Sequence, residues 1–77
     1  MKPADAFGHA IRRFRAHRQI SQERLSQESG LDRSYISLLE RGIRQPSLTT
    51  LLLLAEALNV SASELMLKVE ELLNENH

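Results

Sequence analysis

Residues 21–42, "SQERLSQESGLDRSYISLLERG", set Leu25, Leu31, Ile36 and Leu39 at regular intervals among Ser, Gln, Glu and Arg, with a single glycine, Gly30, in the middle. Ser21 is a good N-cap, and Ile20 and Leu25 stand at the staple positions on either side of it. A helix that starts there must end near Gly30. Asp32 is the cap expected for the next helix, with Leu31 and Ile36 again at staple spacing, and Gly42 can close it in a left-handed C-cap. The stretch therefore predicts a helix over 21–29, a break at Gly30 and a helix over 32–41, joined by a short turn of the kind that sets two helices at a steep angle. Ser26 is small enough to let the second helix approach, Gly30 can take the positive φ of the turn, and Leu25, Leu31, Ile36 and Leu39 can seal the angle.

The flanks carry the same helical signals. Phe7, Ala10, Ile11 and Phe14 follow the i, i+3, i+4, i+7 spacing of an amphipathic helix from about Ala4 to about His17. Pro46-Ser47 opens a fourth helix through about Leu58. Ser61-Ala62-Ser63-Glu64 is a capping box for a fifth, about 61–76, with Val60 and Leu65 as its staple. No stretch alternates as a strand does, so the expectation is an all-α chain of five short helices forming one domain over 1–77, without linker, low-complexity segment or internal repeat. On helix four, Leu48, Leu51, Ala55 and Leu58 are expected to share the buried face, with Leu52 and Leu54 at its margins and Leu53 opposite.

Composition narrows the function. At 77 residues with 42% hydrophobic and 26% charged residues, the chain suits a small folded domain near the size where one core only just suffices. The longest apolar run, Leu51 to Ala55, is far too short for a membrane span, and the first residues lack an apolar signal segment, so a soluble cytoplasmic protein is expected. The absence of cysteine excludes thiolate zinc sites and disulfides. His9, His17 and His77 have no metal-ligand spacing and are expected at the surface; no phosphate loop and no nucleophile beside a base appears, so no enzyme, metal or cofactor is expected. The formal charge of zero hides an asymmetry: residues 1–46 hold nine Lys and Arg against five acids, a net +4, whereas residues 47–77 hold one Lys against five acids, a net −4. One face for an anion and another for a different contact is the natural expectation.

The quoted stretch, with "RQPSLTTLLLLAEALNVSASELM" after it, resembles the Cro/Xre-type helix-turn-helix regulators of phage and bacteria over roughly residues 7–67, and within them it looks most like the controller proteins of restriction-modification genes. The small residue, the glycine, the apolar positions, Glu-Arg-Gly and Pro-Ser-Leu all fall in that spacing together; Ser26 departs from it, standing where alanine is more usual. The resemblance implies a compact five-helix, lambda-repressor-like DNA-binding domain with helices two and three as the helix-turn-helix.

From the residues themselves, if Ile36 and Leu39 face the core, Arg33, Ser34, Ser37 and Arg41 point outward with Tyr35 at the flank, a mixture of short and long hydrogen-bonding side chains suited to bases and phosphates. Arg44, in the following loop, is expected at the DNA backbone. By the resemblance, Gln22 bonds a phosphate and braces the recognition helix, Arg15 and Glu40 form an ion pair that orients that helix without touching DNA, and Glu23 is a place where some relatives meet RNA polymerase. The expected partners are double-stranded DNA and a second copy of the chain. The dimer contact is assigned to Leu53 with the helix-five stripe of Leu65, Met66, Val69, Leu72 and Leu73, because that stripe extends beyond what four preceding helices are expected to cover. The rival expectation is an antitoxin-type interaction module whose acidic half grips a basic partner and whose DNA binding is secondary; such modules often add a separate binding segment, and only Asn74 to His77 follow here.

Overall fold

The computed structural model describes residues 1–75. Its elements are α1 (Pro3–Arg18), α2 (Gln22–Ser29), α3 (Arg33–Glu40), α4 (Leu48–Ala57) and α5 (Ala62–Asn74), with no strand among the described residues. The last expected residue of helix five, Asn76, and the surface expectation for His77 lie outside the described residues.

Local chemistry accounts for the starts. Ser21, Ser47 and Ser61 each accept the backbone N–H three residues on, from Arg24 at 3.0 Å, Thr50 at 3.1 Å and Glu64 at 3.0 Å; the Glu64 carboxylate returns to the Ser61 N–H at 3.1 Å and completes the capping box. Two of the stops are less legible. The Gln19 backbone is left-handed at φ 59°, with its N–H on the Ala16 carbonyl and that of Ile20 on the Arg15 carbonyl; Asn59, at φ 61°, closes α4 in the same way. Both are Schellman closures made without glycine. Gly42 ends α3 in the expected left-handed cap at φ 75°.

α1 lies across α3 and α5, α2 packs on α3 and α4, and α4 packs on α5. Phe7, Ala10 and Ile11 of α1 meet Leu25, Ile36, Leu39, Leu54, Leu58, Leu65, Val69 and Leu72 in one core. Burying each large apolar side chain contributes about 1.5–3 kcal/mol. Tight packing also brings backbones into contact: a Cβ on Gly8 would stand 2.5 Å from the Leu39 carbonyl oxygen and 2.6 Å from that of Glu40, so the crossing of α1 over the end of α3 requires glycine.

Two sequence expectations are corrected. Leu48, expected in the core, is 74% exposed, whereas Leu54, expected at the margin, is fully buried. The buried sector of α4 is centred near Leu54 because the helix packs on both α2 and α5; Leu48, six residues earlier, lies about 240° round the helix. In α5, Leu65, Val69 and Leu72 are buried within the single chain, and Leu73 is half-buried. The preceding helices cover Leu65, Val69 and Leu72 of that stripe, since the 16-residue α1, roughly 24 Å long, spans it, while Met66 remains 39% exposed. No single helix among the described residues is long and apolar enough to cross a membrane, and the chain turns through 105° between α4 and α5.

Candidate nucleic-acid interface

α3 turns Ile36, Leu39 and Glu40 inward, and this fixes what it presents outward. Arg33, Ser34 and Arg41 are exposed and Ser37 is half-buried; with Gln22 from the start of α2 and Leu38, they line an open cleft of about 350 Å³. Five of the seven expected contact residues thus meet in one place. The cleft offers two guanidinium groups, two hydroxyls and an amide, and none of its lining residues is a carboxylate. Tyr35 and Arg44 are not among its lining: the Tyr35 ring is half-buried against the core, and Arg44 is exposed in the α3–α4 loop. Leu38 escapes the sequence reading, although its position four residues after Ser34 puts it on the same helical face.

Behind the cleft, the Glu40 side chain, only 3% exposed, accepts two hydrogen bonds from Arg15, from Nε at 2.8 Å and from a terminal nitrogen at 3.0 Å. Its Oε1 also takes the Gln22 amide Nε2 at 3.0 Å, and a further Arg15 nitrogen donates to the Ile20 carbonyl at 3.0 Å. Bidentate, charge-assisted geometry of this kind is among the strongest and most directional available to side chains. It ties α1, α2 and the end of α3 together through one carboxylate. Gln22 thus bonds the carboxylate at the end of α3 through one N–H, and its remaining N–H and carbonyl oxygen are not needed for that contact.

The start of α3 differs from expectation. Asp32 occupies the N-cap, but its carboxylate accepts no backbone N–H; it takes the Ser34 hydroxyl instead. The carboxylate is thereby drawn toward the side chain two residues on, and Ser34 approaches any ligand with its proton already committed. In the turn itself Gly30 adopts φ 77°, and Ser26 and Ser29 of α2 both bond Leu31.

Away from the cleft, Glu28 bridges Arg18 at 3.3 Å and Arg24 at 2.8 Å. Partial burial raises its carboxyl, but the hydrogen bonds and charges of the two arginines outweigh this and hold it below the usual carboxylate range. Arg18 also donates to the Ala57 carbonyl at the end of α4. Among the described residues no cluster of His, Asp and Glu could hold a metal ion.

A profile described as helix-turn-helix matches residues 11–65 of this chain. Control protein C.SmaI of Serratia marcescens is 45% identical over 56 residues, which span 73% of this chain and 67% of that relative. Among solved structures, the restriction-modification controller protein C.AhdI from Aeromonas hydrophila shares 45% identity at a TM-score of 0.78, covering 80% of this chain and 94% of its own. The controller protein C.Esp1396I, solved as a tetramer in complex with its natural 35 base-pair operator, shares 28% identity at a TM-score of 0.85, covering 92% and 93%.

Proposed function

This chain belongs to the helix-turn-helix family, and from that premise we propose that it is a sequence-specific transcription regulator that binds double-stranded DNA as a homodimer on a partly palindromic operator, controlling restriction-modification genes. Support comes above all from the donor-rich cleft of Gln22, Arg33, Ser34, Ser37 and Arg41 on the outer face of α3. Arg33, at the first turn of α3, reaches a guanine edge; Ser34, Ser37 and the free edge of Gln22 contact neighbouring bases and phosphates; Arg41 and Arg44 meet the backbone beyond the helix end. Tyr35 contributes only its outer edge. The chain works by binding rather than catalysis, and its place of action is the cytoplasm.

The second copy docks on the apolar surface that the fold leaves open. Of the residues assigned to that contact, Leu65, Val69 and Leu72 serve the core, while Leu53, Met66 and Leu73 keep surface to share. Met66 lies with Leu51 along a groove bounded by Pro3, Phe7 and Pro46, and Leu48 and Leu52, one helical turn apart on α4 and next to Leu51 in helical position, are exposed. Leu52 therefore joins Met66 at the centre of the interface, with Leu53 and Leu73 at its edges. Glu23, exposed in the first turn of α2, is the group assigned to RNA polymerase.

Selection of duplexes from a random pool by the intact protein tests the proposal. Enriched sequences are expected to carry inverted half-sites about one helical turn, roughly 34 Å, apart. Sedimentation of Leu52→Glu, Met66→Glu is expected to show monomer where wild type is dimeric. No enrichment over the pool would reject DNA reading and favour the interaction module gripping a basic partner; enrichment of single half-sites would reject the dimer.

A further inference from the structure

The turn between α2 and α3 holds both backbone polar groups of one residue with side chains from the same helical turn. Ser26 donates its hydroxyl to the Leu31 carbonyl, and Ser29 accepts the Leu31 N–H at 3.2 Å while bonding back to the Ser26 carbonyl at 3.5 Å. Neither hydroxyl caps a helix. Ser29 is buried and Ser26 half-buried, so both bonds are partly shielded from competing water. Leu31 is the residue immediately before the α3 N-cap, so whatever fixes its peptide groups fixes the direction in which α3 leaves the turn.

The Arg15–Glu40–Gln22 network anchors the other end of α3. Ile36 and Leu39 pack the middle of α3 into the core, so the freedom left to the helix is a small rotation that swings its first turn. Because Arg33 and Ser34 stand at the turn end and Arg41 at the network end, a pivot would move the first pair across the cleft while leaving the last nearly in place. We propose that Ser26 and Ser29 form a clip on Leu31 that sets the angle of α3, making them positioning residues for sequence discrimination that touch no DNA. The proposal rests on the DNA-reading function assigned above.

Ser26→Ala is a clean perturbation, since it keeps Cβ and removes only the hydroxyl. The Leu31 carbonyl then turns to water, and the lost bond leaves the α3 direction spread over neighbouring angles. Loss of one such hydrogen bond corresponds to about a three- to ten-fold drop in the ratio of affinities for the selected duplex and for a scrambled one. Ser29→Ala is expected to lower the ratio similarly, Ser29→Thr to retain it, and Gln27→Ala, an exposed neighbour outside the clip, to leave it unchanged.

The experiment is fluorescence anisotropy on both duplexes at one salt concentration, below the melting temperature of every variant. Wild type must first select its duplex over the scrambled one; failure there rejects the DNA-reading function and leaves the clip to the next measurement. If Ser26→Ala and Ser29→Ala lower melting temperature but leave the ratio intact, the serines serve stability alone and the proposal is overturned. Amide hydrogen exchange on folded wild type is the second measurement, independent of any variant or ligand. The Leu31 N–H is expected to be protected well beyond the amide of Arg44 in the exposed α3–α4 loop; exchange at the rate of an open loop would show that no clip exists.

Discussion

Removing either partner of the Arg15–Glu40 pair should destabilise the fold, and the structure states which removal is worse. Breaking a buried ion pair from one side typically costs about 3–5 kcal/mol, because the remaining charge is stranded away from water. The two partners are not equally stranded: the Glu40 side chain is 3% exposed and that of Arg15 is 22% exposed. Arg15→Ala leaves the carboxylate with the Gln22 amide as its one neutral donor, so a loss near the upper part of that range is expected. Glu40→Ala leaves a guanidinium that keeps the Ile20 carbonyl and part of its hydration, and about 2–3 kcal/mol is expected. For a chain of 77 residues, whose whole stability should be about 4–12 kcal/mol, Arg15→Ala removes a large share of it. Urea melts of both variants and of Arg15→Met, Glu40→Leu measure this, and the apolar double variant should recover much of the loss. Losses below about 1 kcal/mol in both single variants would show a dispensable pair, and a larger loss for Glu40→Ala than for Arg15→Ala would refute the burial argument.

Other outcomes follow from the same structure. Arg33→Ala should weaken binding to the selected duplex far more than to random duplex, whereas Arg44→Ala should weaken both alike and reduce the slope of log affinity against log salt by about one unit; titrations at several salt concentrations separate the two, and an unchanged specific-to-random ratio for Arg33→Ala would sink its assignment to a base. Gly8→Ala, normally a gain in a helix interior, should instead lower the thermal midpoint, because its methyl group would meet the carbonyl oxygens of Leu39 and Glu40. For Glu28, held below the usual carboxylate range by Arg18 and Arg24, the stabilisation is complete above that range and is lost as pH falls through its lowered folded value; Glu28→Gln should therefore flatten the acid limb of the stability curve and leave its neutral part parallel to wild type.

Local chemistry is enough to read the five helices, their serine caps, the break at Gly30 and the outward set of Arg33, Ser34, Ser37 and Arg41. Each of these depends on residues within a few positions of one another: a cap and its N–H, an apolar face and its spacing, a glycine and its φ. A buried Arg15–Glu40 pair and a bracing Gln22 are implied by likeness to a family, but the hydrogen bonds that join all three through one carboxylate emerge only from the fold, since residues 15, 22 and 40 sit on three different helices. The same limit explains the departures on α4 and α5. Spacing identifies an apolar face but not which neighbours cover it, so by spacing alone Leu48 belongs inside and Leu72 at a partner surface. The crossing of α1 over both α3 and α5, which needs the bare backbone of Gly8, buries Leu72 within the chain, and the joint packing of α4 on α2 and α5 turns Leu48 out to solvent. Gln19 shows the remaining case: a left-handed residue that is neither glycine nor asparagine carries little local signal, and it is held there by the packed helices on either side, whose contacts outweigh its backbone strain.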